Sequence, residues 1–246
     1  MKKILIIFIS KVVNYFFDFY TGGKKRPVFF DITNTAPALN TITSNSEVIK
    51  YEVSNLLTSG EVVKNYHELD SLQHKISALE NPDKNWKVYM LYMMGDFSSS
   101  ALKNCPQTCA LLNEVPDIYQ CFFSILEAGK NIPEHNGMYR GYLRYHLGLK
   151  VPDKDPPFLL IKSQQYTWVE SSGILFDDSW NHSVINNCEE DRIVLVVDIY
   201  RPMPKLPDKL NRFLTKHLIK KFYAEKVLNN IDIEYKERQK IDLIRQ

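Results

Sequence analysis

The sequence has few of the features that define several common classes of protein. Its 246 residues include only four cysteines, too few and too unevenly spaced for a disulfide framework, so we expect a reducing, cytoplasmic location. Its nine glycines form no Gly-rich phosphate loop, which removes support for a nucleotide-dependent function. No repeat with a period of about 20–50 residues is apparent, which argues against a solenoid or propeller.

Net charge is also small. The chain carries 31 Lys or Arg and 29 Asp or Glu, a formal net charge of +2, which is too little to indicate a nucleic-acid partner. The charges are unevenly distributed, however. Residues 1–30 hold six basic and one acidic side chain, and residues 201–246 hold twelve basic and six acidic ones. Basic ends around an acidic middle predict an anionic surface, such as a membrane, as a partner of the termini.

No uninterrupted apolar segment is long enough to span a bilayer. That role needs about 20 mainly apolar residues, and Lys11 and Asp18 interrupt the first 20 residues, MKKILIIFISKVVNYFFDFY. As a helix, this segment would be apolar except for one polar stripe, which consists of Lys3, Ser10, Lys11, Asn14 and Asp18. The pattern is equally compatible with a helix on a membrane surface and with one packed in the protein core.

The composition that is present, 44% hydrophobic and 24% charged residues, is typical of a soluble globular domain. After a break at residues 21–27, we expect an extended stretch and then a helix over about 46–58. A buried strand is predicted at 86–94. A short helix should begin at Pro106 and end before Pro116.

From about residue 119, short strand patterns follow one another without intervening helices. They fall near residues 121–127, 142–151, 157–163, 165–170, 173–177, 182–186 and 192–200. This order predicts a mainly β fold with flanking helices, a double-stranded β-helix or jelly roll. We therefore divide the chain into four parts: an amphipathic segment at 1–30, a helical and mixed support region of the same domain at 31–118, the double-stranded β-helix at 119–202, and a basic helical segment at 203–246.

Three of the six histidines, His135, His146 and His182, lie in the strand-rich region. The alternation of the strand at 142–151 puts Arg144 and His146 on one face, and Arg192 lies where the last strand begins. Imidazole suits iron, and guanidinium suits a carboxylate, so these residues could form a site for a metal and an anionic ligand. By spacing alone the prediction is weak, because a single strand histidine is more often a hydrogen-bonded core or surface residue.

Three sequence blocks make the prediction more specific: LRYHLGL at 143–149, FDDSWNH at 176–182 and DR at 191–192. In order and spacing, the stretch from about 119 to 202 resembles the aspartyl/asparaginyl β-hydroxylase family. These proteins are iron(II)- and 2-oxoglutarate-dependent oxygenases, related to bacterial lipid A hydroxylases. The resemblance implies that O₂ and 2-oxoglutarate are cosubstrates, converted to succinate and carbon dioxide while an unactivated C–H bond is hydroxylated.

The resemblance also implies a role for each matching residue. His135 and His182 match the two iron ligands. Gly137 lies where the wider oxygenase superfamily has a carboxylate ligand, a departure that the family shares. The residues matching cosubstrate contacts are Arg192 and Ser124, at the distal carboxylate of 2-oxoglutarate, and Arg144 and His146.

The substrate and two side chains stay open at this point. Family members act on an aspartyl or asparaginyl side chain or on a lipid acyl chain, and the basic ends favour a substrate at a membrane surface. Asp177 and Asp178 are either turn residues or groups that orient His182. Two other functions remain: a membrane-associated binding protein with a degenerate barrel, and a cupin-like metal hydrolase or isomerase.

Overall fold

A computed structural model of the protein describes residues 2–61, 63–70, 73–79, 81–224, 227–229 and 231, with side chains from residue 11 onward except that of Phe222. Within these residues there are twelve strands. They are β1 (Phe29–Phe30), β2 (Lys64–Asn65), β3 (Trp86–Met93), β4 (Asp96–Phe97), β5 (Ile118–Leu126), β6 (Ile132–His135), β7 (Tyr142–Lys150), β8 (Phe158–Ile161), β9 (Gln164–Thr167), β10 (Gly173–Phe176), β11 (His182–Ile185) and β12 (Arg192–Tyr200).

The strands form two antiparallel sheets. The major sheet has eight strands in the order β1-β10-β7-β12-β5-β3-β2, with β4 added beside β3, and the minor sheet has four in the order β6-β11-β8-β9. From β5 onward the chain passes back and forth between the two sheets, except at β8 and β9, which both lie in the minor sheet. This is the arrangement of a double-stranded β-helix. The predicted fold class is confirmed. The seven predicted strands after residue 119 all form, and β6, which the sequence pattern did not indicate, is added to them.

The central strands β5, β7 and β12 are buried on both faces. Leu143, Tyr145 and Leu147 of β7 pack in a cluster with the helices outside the major sheet. The alternate residues point into the interior, meaning the space between the two sheets, where Val194 and Val196 of β12 pack against residues of the minor sheet. Because side chains alternate along a strand, each of these strands supplies one face to a helix-covered core and one to the interior.

The helices are α1 (Lys2–Thr21), α2 (Ile32–Thr35), α3 (Leu39–Ser44), α4 (Ser46–Thr58), α5 (Tyr66–Leu69), α6 (His74–Ser77), α7 (Ser99–Asn104), α8 (Pro106–Asn113) and α9 (Lys205–Leu214), the last continuing as a π-helix over Thr215–Ala224. The helices predicted at 46–58 and from Pro106 are confirmed. The extended stretch expected before residue 46 is wrong, because it contains α2 and α3. The Asp31 carboxylate accepts a hydrogen bond from the Asn34 amide, and Leu39 and Ile42 are fully buried.

Helix α1 packs with Asn14 and Asp18 of its polar stripe toward the protein, whereas Lys11 is exposed. Asn14 Nδ2 donates to the Met138 carbonyl at 2.8 Å, and Asn14 Oδ1 accepts from the Arg140 amide at 2.9 Å. Phe17, on the same side, is fully buried. No helix in the described part of the chain has the combined length and apolar character that crossing a bilayer requires.

The basic segment after residue 203 is only partly as predicted. Helix α9 forms, but the Arg212 guanidinium contacts Asp208 and Asp117, and Lys220 Nζ lies 2.8 Å from Asp96. Two basic side chains of the segment are therefore neutralised by the protein's own carboxylates. Residues 232–246 of the segment lie outside what is described.

Candidate active site

The two histidines matched to metal ligands lie side by side at one end of the minor sheet. Strands β6 and β11 are neighbours, and His135 pairs directly with His182 in their antiparallel register. The ring centroids are 4.2 Å apart. The fold therefore brings together two imidazoles that are 47 positions apart in the chain, which the spacing alone did not establish.

Both imidazoles are oriented by the backbone in the same way. Nδ1 of His135 lies 2.8 Å from the Pro133 carbonyl, and Nδ1 of His182 lies 2.8 Å from the Trp180 carbonyl. A carbonyl can only accept, so each Nδ1 carries the proton and each Nε2 keeps a free lone pair. Burial lowers the pKa of His135 to about 4. Burial, together with the neighbouring His135 ring, lowers that of His182 to about 3. Both rings are neutral at pH 7.

Arg192 places a positive charge in the interior, and no carboxylate among the described residues pairs with it. Its side chain is 1% exposed, and within the described residues its Nε and Nη1 have no hydrogen-bond partner. Nη2 lies 3.3 Å from Ser124 Oγ, and the guanidinium carbon lies 4.6 Å from the centroid of the Trp168 ring. Burial lowers the pKa of Arg192 to about 9, so it is still charged at pH 7. A buried cation with two unused donors is a binding group for an anion.

The Ser124 hydroxyl lies beside Arg192 and is oriented by two hydrogen bonds. Its Oγ accepts a hydrogen bond from Trp86 Nε1 at 2.9 Å as well as from Arg192. With its lone pairs occupied, the hydroxyl is left with its hydrogen to donate. Two further polar atoms in this part of the interior, His146 Nδ1 and Trp168 Nε1, are also buried without a partner among the described residues. The interior at this point therefore has an excess of donors, which suits a carboxylate.

Arg144, also matched to a cosubstrate contact, has a different environment. Its guanidinium makes two hydrogen bonds of 2.8 Å to Asp198, and its Nη1 lies 3.1 Å from Asp178. Although burial opposes it, the charges of Asp198 and Asp178 raise the pKa of Arg144 well above its usual value. Gln120 donates to the same Asp198. Arg144 is thus part of a paired network, whereas Arg192 is not.

Asp177 and Asp178, which sequence reasoning left open, have different roles. Asp177 accepts from the Ser179 amide at 3.0 Å, a turn contact, and it also binds Arg26 and Arg201. Asp178 is 1% exposed, and burial raises its pKa to about 7 despite the nearby Arg144. A Cβ atom on Gly137 would lie 2.5 Å from Asp178 Oδ1. The carboxylate of Asp178 therefore occupies the space beside the glycine where the wider superfamily has its ligand.

Sequence reasoning missed several residues that shape this site. Trp86, Trp168 and Asp198 were not singled out as candidate site residues. A usable signal was present for Asp198, because an acidic residue on the same face as Val194 and Val196 of a buried strand requires a buried cation nearby. For the tryptophans, only the fold shows that one holds Ser124 and the other faces Arg192.

The site fits an iron(II) ion on its donor chemistry. Two neutral imidazoles with free Nε2 atoms are suitable ligands, and the unpaired donors around Arg192 suit an anionic cosubstrate. Across the described residues, no cluster of three or more His, Cys, Asp or Glu side chains is arranged to hold a metal. The protein side of such a centre would consist of His135 and His182.

Comparison with known proteins agrees with this arrangement. A family model described as aspartyl/asparaginyl beta-hydroxylase matches residues 43–202, a range that includes His135, His182 and all the predicted cosubstrate contacts. The chain belongs to this family. Membership of the aspartyl/asparaginyl beta-hydroxylase family extends the resemblance upstream of residue 119, to α4, β3 and the helices between them.

The chain is similar to relatives that bear two kinds of name. It is 32% identical over 179 residues to an ornithine lipid ester-linked acyl 2-hydroxylase of Rhizobium tropici, covering 72% of this chain and 62% of that protein. It is 31% identical over 123 residues to the human aspartyl/asparaginyl beta-hydroxylase, covering 48% of this chain and 16% of that protein. The chain thus spans less than two thirds of the length of either relative.

Among solved structures, the chain is similar to a prolyl-4-hydroxylase of Pseudomonas putida, with a TM-score of 0.41 and 12% identity over 64% of this chain and 88% of that one. It is also similar to a predicted oxalate decarboxylase of Thermotoga maritima, with a TM-score of 0.33 and 15% identity over 51% of this chain and 89% of that one.

Proposed function

We propose that this protein is an iron(II)- and 2-oxoglutarate-dependent dioxygenase that hydroxylates an unactivated C–H bond. The overall reaction consumes O₂ and 2-oxoglutarate, places one oxygen atom in the product hydroxyl group and the other in succinate, and releases carbon dioxide. The observation that carries the proposal is the pair of neutral imidazoles on β6 and β11, which shares the interior with a buried, unpaired Arg192.

His135 and His182 would hold the iron through their Nε2 atoms, since each Nδ1 is already committed to a backbone carbonyl. When bound, iron(II) supplies the redox chemistry with dioxygen that no side chain of the protein provides. The two-histidine set leaves most coordination positions for the cosubstrates.

Arg192 and Ser124 would bind the distal carboxylate of 2-oxoglutarate. Arg192 offers its unused Nε and Nη1 donors, and Ser124 offers its hydroxyl hydrogen. The planar guanidinium can hold a carboxylate by two parallel hydrogen bonds, which a lysine cannot do. His146 and Trp168, each with an unpartnered nitrogen, would contribute further contacts, and the apolar residues around them would exclude water.

Arg144 would contribute a positive charge to the same site, held in a fixed position by two carboxylates. Its contacts with Asp178 and Asp198 hold the guanidinium in place. Burial is the main cause that lowers the pKa of His135, His146 and His182, and the charge of Arg144 lowers it further. Both effects favour the unprotonated imidazole, which is the form that binds a metal.

For the substrate, we propose a lipid acyl chain rather than a peptidyl aspartate or asparagine. The relative whose name specifies an ornithine lipid acyl chain matches 72% of this chain, against 48% for the human relative named for aspartyl and asparaginyl residues. The basic N-terminal 30 residues also favour a substrate at an anionic surface.

The experiment is a turnover assay with purified protein, iron(II), ascorbate and 2-oxoglutarate, in which succinate is measured. His182→Ala and Arg192→Ala should each abolish succinate formation, and Arg212→Ala, on the surface, should leave it unchanged. Adding ornithine lipid should stimulate turnover and yield a lipid that is heavier by one oxygen atom. If iron is bound but 2-oxoglutarate is not consumed, the proposal is wrong and a metal hydrolase or isomerase is indicated. If neither is bound, the site is degenerate.

A further inference from the structure

The outward face of α1 is apolar, whereas the outward face of a surface helix in a globular protein is usually polar. Val12, Tyr15 and Phe19 are 56%, 82% and 84% exposed. Their spacing of three and four residues places them on one side of the helix. Single exposed apolar residues are ordinary, but a row of them along one helix face marks an interaction surface.

The protein itself explains why this face points outward. The polar side chains that could have faced water are used on the inside, where Asn14 binds the backbone of residues 138 and 140 and Asp18 contacts Arg140 and Arg26. Helix α1 is therefore held in an orientation that leaves its apolar face uncovered. Exposure of this face is a consequence of specific contacts.

The surroundings of this face are basic. Lys11 lies on α1 itself, Lys24 and Lys25 follow the helix, and all three are exposed. Residues 1–30 hold six basic side chains and one acidic side chain. Upstream in the same helix the sequence is ILIIFI at positions 4–9. Apolar side chains bordered by lysines match an anionic lipid bilayer, in which the rings insert and the ammonium groups meet headgroup phosphates.

The face is also close to the candidate active site along the chain. Asn14 of α1 binds the backbone of segment 138–140. This segment begins three residues after His135, and its Met138 is 50% exposed. Segment 138–140 packs against the inner side of α1, opposite the exposed face, so a membrane contact through α1 would hold this segment about 10 Å, one helix diameter, from the lipid surface. That arrangement suits a substrate drawn from the bilayer.

We propose that the face formed by Lys11, Val12, Tyr15 and Phe19 docks the protein on an anionic membrane, with α1 lying in the plane of the interface. The bilayer is favoured over a second copy of this chain because the clustered lysines would repel one another across a symmetric contact. The inference extends the proposed lipid substrate, but it concerns binding and can be tested without iron, cosubstrate or turnover.

The test is flotation with vesicles of equal parts phosphatidylglycerol and phosphatidylcholine, compared with phosphatidylcholine alone. The full chain should bind the anionic vesicles and bind them more weakly as NaCl is raised from about 0.1 to 0.5 M. The triple variant Val12→Ser, Tyr15→Ser, Phe19→Ser should lose at least about tenfold in partitioning. The control is Tyr51→Ser with Leu102→Ser, which removes side chains that are 65% and 54% exposed on helices outside the major sheet and should bind like the wild type.

A second measurement does not depend on the triple variant folding. All four native cysteines are buried, so an environment-sensitive fluorophore can be attached selectively to Phe19→Cys. Its emission should shift to the blue on addition of anionic vesicles, whereas the same label on Tyr51→Cys should not respond. Absence of vesicle binding by the wild type, or equal binding by the triple variant, would overturn the proposal. A third result would also overturn the proposal: the wild type forms a dimer in light scattering, the triple variant is a monomer, and neither binds vesicles. That result would assign the face to a second copy of the chain.

Discussion

Replacing Arg192 with Met is expected to make the ligand-free protein more stable, although Arg192 is among the most deeply buried side chains. The reason is that its charge is not balanced by a carboxylate in the described part of the chain. Methionine has a similar length and can fill the same space without a charge to desolvate. The same substitution removes the group proposed to bind 2-oxoglutarate.

The size of the effect follows from the environment of the guanidinium. Its pKa falls to about 9, and at about 1.4 kcal/mol for each pH unit below the ordinary value of about 12.5, burial of the charge costs about 5 kcal/mol. The contact with Trp168 offsets about 2 kcal/mol, and the hydrogen bond to Ser124 offsets about 1 kcal/mol. A net gain of about 2 kcal/mol remains, which corresponds to a rise in Tm of about 4–8 °C for a chain of this size.

Thermal unfolding with and without 2-oxoglutarate measures both consequences. The wild type should be stabilised by 2-oxoglutarate, and Arg192→Met should start from a higher Tm and not respond. Arg144→Met is the matched comparison, because it leaves Asp178 and Asp198 buried without their cation and should cost about 3–5 kcal/mol. The reasoning fails if Arg192→Met is destabilised to the same extent as Arg144→Met, or if its Tm still rises with 2-oxoglutarate.

Three further outcomes are expected. His135→Ala and His182→Ala should each abolish iron(II) binding measured by calorimetry, and His217→Ala, on the surface, should bind iron(II) normally. If either of the first two variants still binds iron(II), the proposed ligands are wrong. Gly137→Asp should not create a third ligand but should lower the free energy of unfolding in urea by about 1–3 kcal/mol, since its Cβ would collide with Asp178; tighter iron binding would contradict this. The folded state keeps the Asp178 carboxyl protonated up to about pH 7, because its pKa is raised to about 7, whereas the unfolded chain releases that proton near pH 4. The free energy of unfolding should therefore fall as pH rises from about 4 to about 7. In Asp178→Asn this pH dependence of the free energy of unfolding should be weaker.

Local patterns in the sequence were sufficient for much of the fold. The helix at 46–58 and strands β5, β7 and β12 are long and strongly patterned, so their own side chains determine them. Strand β6 was missed because it is short and contains Pro133, and it exists through its pairing with β11. The stretch before residue 46 was misassigned because its two helices depend on a cap at Asp31 and on burial of Leu39 and Ile42, which need the rest of the domain.

The sequence supplied candidate residues for the site but not the relations between them. The family resemblance implied roles for His135, His182 and Arg192, which stay predictions. The sequence could not show that, among the described residues, Arg144 has two carboxylate partners and Arg192 has none. Asp178 lies in the turn after β10, and Asp198 lies opposite Arg144 on β12, so both are far from Arg144 in sequence and only the fold brings them to it. Helix α1 illustrates the same limit. Its periodicity defined a polar stripe, and only the contacts with Arg140 show that Asn14 and Asp18 of this stripe face the protein while Lys11 does not.

Each of the two imidazoles at the centre of the site bonds to the main-chain carbonyl two positions before it. The orientation of each ring is thus set by the main chain and not by a neighbouring side chain. Side chains around the two rings can consequently vary, and the rim of the site can change shape, while His135 and His182 keep their arrangement.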